Sequence, residues 1–137
     1  HGNSLKAVGT FLSAYATHMM GCGVHTSRVV RCTQRIGESY GYTVVTMMVQ
    51  KGVLIKLYDP KSNALFAIEE AIPPLPISFE HNARLSALSW ETVDKHLPLE
   101  DMQDYFGCKV NMQIWVKVKE DWRNRESDIA DFGLKAD

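Results

Sequence analysis

"YTVVTMMVQKGVLIKLYDPKSNALFAIEE", residues 42–70, decides the fold class. It holds three runs rich in β-branched and apolar residues: Tyr42–Val49, Val53–Tyr58 and Ala64–Glu70. Gln50-Lys51-Gly52 reads as a tight turn, and Asp59-Pro60 opens a second one with proline in its favoured place. Short turns between strands predict a three-stranded antiparallel meander. Such a sheet is stable only when one face is covered, so the flanking sequence must supply the cover.

Upstream, Leu5, Val8, Leu12, Tyr15 and Met19 recur at steps of three and four, which predicts an amphipathic helix. Gly21 and Gly23 end it by supplying the backbone freedom of a C-terminal turn. A second helix follows at once, with Val29, Cys32, Ile36 and Tyr40 on its buried face and Gly41 placed to end it. Downstream, Ile72–Pro76 carries prolines that have no amide for a ladder, so it is a connector. Ser78 then caps a helix running to about His96, with Leu85, Leu88 and Thr92 at helical spacing. Pro98, Glu100 and Asp101 suit the first turn of a last helix, whose apolar side is Leu99, Met102 and Phe106. Past Gly107 the alternation of Met112, Ile114, Val116 and Val118 reads as an optional C-terminal strand. The expected architecture is therefore α+β, in the order ααβββαα, with the helices packed on one face of a small antiparallel sheet. It forms a single domain over residues 1–119, followed by a polar tail over 120–137.

Bulk composition narrows the function classes. A chain of 137 residues with 45% hydrophobic and 23% charged residues suits one globular domain. Its formal net charge of −1 provides no field to draw it to nucleic acid or anionic lipid. Three scattered cysteines fit a reducing compartment better than a disulfide scaffold. No signal peptide is visible, and no apolar run approaches the roughly 20 residues of a membrane span. These features predict a soluble intracellular domain.

The chemistry-bearing residues cluster between Gly21 and Gly41. Cys22, His25 and Cys32, with His18 one turn earlier, match no closed zinc spacing, so neither a metal nor a cofactor is expected. No base can be placed beside Ser27 or Cys22 from sequence, so no catalytic residue is predicted and the chain is not expected to be an enzyme. Arg28, Arg31 and Arg35 form a stripe beside the buried face of the second helix. Arg28 stands in the first turn, where a cation opposes the helix dipole unless a negative group is near. Thr26 and Ser27 are natural caps at the same place. Thr26, Ser27, Arg28 and the adjacent His25 are thus the candidate binding residues, suited to a carboxylate. That carboxylate is either a ligand's or one of Glu69, Glu70, Glu80 and Glu91, in which case Arg28 is a structural clamp.

The run "MMGCGVHTSRVVRCTQRIGESYGY" resembles the amino-terminal soluble part of the threonine/serine exporter family. Gly23, Thr26, Arg28, Val29, Ile36 and Gly41 occupy that family's glycine corner, Thr-x-Arg-Val helix start and closing glycine pair. The likeness covers roughly Leu5 to Phe106, and Leu85 and Leu88 in "LSALSW" fit the leucine-spaced helix after the sheet. The resemblance implies a domain on the cytoplasmic face of the inner membrane, preceding the transmembrane part of an exporter that is absent from this chain. It implies a regulatory, assembly or substrate-sensing role, with L-threonine or L-serine as ligand and a homo-oligomeric state. Two other readings stay open: a stand-alone hydrolase-like enzyme, and an oligomerisation module.

Overall fold

A computed structural model describes residues 4–110. The optional strand over Met112–Val118 and the polar tail over 120–137 lie outside the described residues. Seven elements follow in the expected order: α1 (Leu5–Gly21), α2 (Thr26–Ser39), β1 (Thr43–Val49), β2 (Gly52–Tyr58), β3 (Leu65–Ala71), α3 (Phe79–Lys95) and α4 (Leu99–Val110). The fold is α+β.

The strands form one antiparallel sheet in the order β1-β2-β3. Val44, Leu57 and Phe66 align across it, as do Thr46, Ile55 and Ile68, and then Met48, Val53 and Glu70. Because strand side chains alternate, these rows share one face, and that face meets the helices. Val44, Val53, Ile55 and Leu57 are buried there with Val8, Leu12, Ala16, Val29 and Ile36 from α1 and α2. Removing each large side chain of this kind from water stabilises the fold by about 1.5–3 kcal/mol.

α1 packs on β2 and β3, and α2 packs on β1. A buried polar pair bridges the layers: the Thr33 hydroxyl of α2 lies 2.7 Å from that of Thr46 on β1. α3 packs chiefly on α2, so it adds a third layer rather than more direct cover for the strands. The buried Tyr15 hydroxyl of α1 donates to the carbonyl of Leu85 and fixes that layer's position. α4 then seats Leu99, Met102 and Tyr105 in the core. It runs through Gly107 to Val110. A single glycine costs a helix only about 1 kcal/mol relative to alanine, which neighbouring turns can absorb.

The corners follow the predicted glycines. Gly23 (φ 91°) and Gly41 (φ 89°) both occupy the left-handed region that closes α1 and α2. Gly21 remains helical, and a side chain there would crowd the Pro73 carbonyl oxygen, at 2.8 Å from its Cβ. The proline connector therefore lies directly over the end of α1.

Candidate functional site at the α1–α2–α3 corner

His25, Thr26, Ser27 and Arg28 all lie on the surface at the start of α2. The cap is His25, not Thr26 or Ser27. The helix begins one residue earlier than a hydroxyl cap would require, which puts Thr26 and Ser27 inside its first turn. His25 is extended (φ −63°, ψ 139°), and its Nδ1 accepts the Ser27 amide at 3.2 Å. The Ser27 hydroxyl lies 2.9 Å from the same nitrogen. An accepting Nδ1 leaves the neutral ring's proton on Nε2. This is a local capping arrangement on an open surface.

The structural clamp expected for Arg28 does not form. Among the described residues Arg28 is exposed and has no ion pair. The Glu80 carboxylate is taken by Arg84 at 2.7 Å, one turn along α3, and that of Glu70 accepts the Ser13 hydroxyl. The stripe of arginines divides by function along its length. Arg28 and Arg31 are solvated, whereas Arg35 stacks 3.6 Å from the Trp90 ring centroid and donates to the Ser89 hydroxyl at 2.7 Å. Arg35 is thus a cation–π tie between α2 and α3. Its spacing in the stripe was legible from sequence, but Trp90 as its partner was not.

A second cluster lies at the other side of the same corner. His18, in the last turn of α1, and Cys22, its C-cap, are four residues apart and share a face. His81, in the first turn of α3, joins them, and the three ligating atoms all lie within 4.8 Å of one another. Two backbone-directed bonds fasten the helix ends together: the Cys22 carbonyl accepts the Ser78 amide and the Asn82 side-chain amide, each at 3.3 Å. Ser78 caps α3 by accepting the His81 amide at 3.2 Å. The His18 ring stands edge-on to Phe106, with centroids 5.6 Å apart.

Electrostatics follow from burial. Desolvation, and secondarily the neighbouring His81, lower the His18 pKa and favour the neutral imidazole. Desolvation raises the pKa of the Cys22 thiol, which makes it a poor free nucleophile. Of the four residues weighed from sequence as metal donors, the fold unites only His18 and Cys22. His25 is spent as a cap, and Cys32 faces the core, 3.8 Å from Arg35 Nη1. The third member, His81, was invisible to spacing because it arrives from beyond the sheet.

A shallow groove between α1 and α4, lined by Ser4, Lys6, Thr10, Phe11, Gln103 and Phe106 among others, includes none of His25–Arg28.

Comparison with known proteins gives a long match to a family model and short matches to curated proteins. The family model described as a threonine/serine exporter matches residues 10–106, well over half of the chain. The GTPase Era of Alkaliphilus oremlandii is 50% identical over 34 residues, which is 25% of this chain and 12% of that protein. The GTPase Era of Clostridioides difficile is 47% identical over 34 residues, 25% of this chain and 11% of that protein. The chain thus spans about a tenth of the length of these curated relatives. No solved structure matches it.

Proposed function

The chain belongs to the threonine/serine exporter family, and on that premise we propose that it serves as the soluble, cytoplasmic-side domain of an exporter-like transporter, with a role in assembly. The family match over residues 10–106 is the observation that carries this reading and supports a role in amino-acid transport. Among the described residues no helix is long and apolar enough to cross a membrane. The translocation path would then come from the transmembrane part of the transporter.

Assembly is favoured over sensing by the exposure of the α2 start. A free amino acid needs a concave site that removes most of its surface from water. His25, Thr26, Ser27 and Arg28 present only an open surface, and the Arg28 guanidinium has no ion pair among the described residues. They suit a rim contact to a carboxylate of a protein partner, where charge steers encounter and fixes register. A hydrolase is disfavoured because burial suppresses the Cys22 thiolate and, among the described residues, the Ser27–His25 contact is an exposed cap without an orienting third group.

The outer face of the sheet supports self-association. Val45, Met47, Tyr58 and Leu65 stand between 38% and 65% exposed on it. Lys56 and Glu69 are also exposed on this face, so a second copy stacked by two-fold symmetry can pair opposite charges across an apolar patch.

The test is co-expression with the membrane-embedded part of a family exporter. The chain should co-fractionate with it through detergent extraction, and Arg28→Glu should weaken that association. Recovery of the chain solely in the soluble fraction would overturn the reading.

A further inference from the structure

We propose that His18, Cys22 and His81 form a metal site for a borderline divalent ion of the Zn²⁺ type, with one coordination position left for water or a further ligand. The inference stands on the local geometry and is independent of the exporter reading.

The donor set comes first. One thiolate and two imidazoles suit zinc and its late first-row neighbours, whereas magnesium and calcium take oxygen ligands. Three protein ligands with an open fourth position is the arrangement of zinc sites that bind an exchangeable group. Bond lengths near 2.3 Å to sulfur and 2.0–2.1 Å to nitrogen put tetrahedral donors about 3.3–3.6 Å apart. The three donor atoms already lie within 4.8 Å of one another, so closure asks no pair to approach by more than about 1.5 Å. Side-chain rotation can supply that, because His18 and His81 are only half-buried.

The backbone is already set for it. His18 and Cys22 are one turn apart, and the Cys22 carbonyl holds both the Ser78 amide and the Asn82 side chain. His81 lies between those two anchors in sequence, so its Cα is fixed against the end of α1 without a metal. Asn82 Oδ1, buried and without a hydrogen-bond partner among the described residues, is an acceptor at the same helix end. Acceptors of this kind orient a ligating imidazole N–H or a metal-bound water. On binding, the Cys22 thiol loses its proton to solvent and the two imidazoles ligate in their neutral forms. The bound ion would clasp the end of α1 to the start of α3 across the proline connector.

The test uses the purified 137-residue chain, stripped with chelator and titrated with Co²⁺ and Zn²⁺. One equivalent should bind, and cobalt should give the near-ultraviolet charge-transfer band of a thiolate ligand. His81→Ala should weaken zinc binding by more than about 100-fold, while His25→Ala, outside the cluster, should leave it unchanged. Zinc should raise the melting temperature of the wild type and not of His81→Ala. Cys22→Ser should abolish the cobalt band; should that variant not fold, the wild-type band and the His81→Ala affinity decide the question. The absence of saturable uptake, a cobalt spectrum without thiolate character, or undiminished affinity in His81→Ala overturns the proposal.

Discussion

At the scale of single residues, position in an element was readable from sequence while partnership across the fold was not. Arg28 was correctly placed in the first turn of a helix, but its expected carboxylate partner depends on where β3 and α3 come to lie. With no ion pair among the described residues, Arg28→Ala should change stability by less than about 0.5 kcal/mol, as measured by urea denaturation. A loss of 1–3 kcal/mol would restore the clamp. Gly37 behaves in the opposite way. It lies on α2 beneath Val44, and a Cβ there would overlap Val44 Cγ2. Gly37→Ala should therefore destabilise by about 1–3 kcal/mol despite alanine's better helix propensity, because a β-branched strand residue has no room to retreat. Tyrosines set the alkaline limit. Burial, and then Asp101, push the Tyr40 pKa up, and its hydroxyl donates to the Leu97 carbonyl at 2.8 Å. The folded state thus keeps a proton that the unfolded chain releases near pH 10. Stability from this group is fully present below that pH and is lost as pH rises toward the higher folded value. Tyr40→Phe should flatten the fall in melting temperature above pH 10; an unchanged alkaline slope would contradict this.

At the scale of elements, periodicity and punctuation carried most of the information. All seven described helices and strands were expected, and each strand boundary fell within one residue, because turns and strand alternation are local properties. Ser78 was legible as a cap because serine precedes a helical repeat, and it does accept the His81 amide. Ser78→Ala should cost about 1 kcal/mol and lower the melting temperature; a neutral result would mean that the Ser78 amide to the Cys22 carbonyl alone holds the helix start. His25 as the cap of α2 was missed, since a ring nitrogen substitutes for a hydroxyl only when the chain enters the helix at the right angle.

At the scale of the whole molecule, the sequence announced a covered sheet but could not say what its outer face meets. α1 and α2 cover one face, α3 is a third layer, and the opposite face carries exposed Val45, Met47, Tyr58 and Leu65. The meeting of His18, Cys22 and His81 belongs to this scale too, because it requires the sheet to return the chain to the end of α1. We propose that this family domain uses its outer sheet face to assemble with a second copy. Sedimentation velocity of the 137-residue chain, across a wide concentration range, tests it most directly when run beside the double variant Met47→Lys, Leu65→Lys. The account predicts concentration-dependent dimers for the wild type and a folded monomer for the variant. A wild type that stays monomeric throughout, or a variant that dimerises equally well, would contradict it.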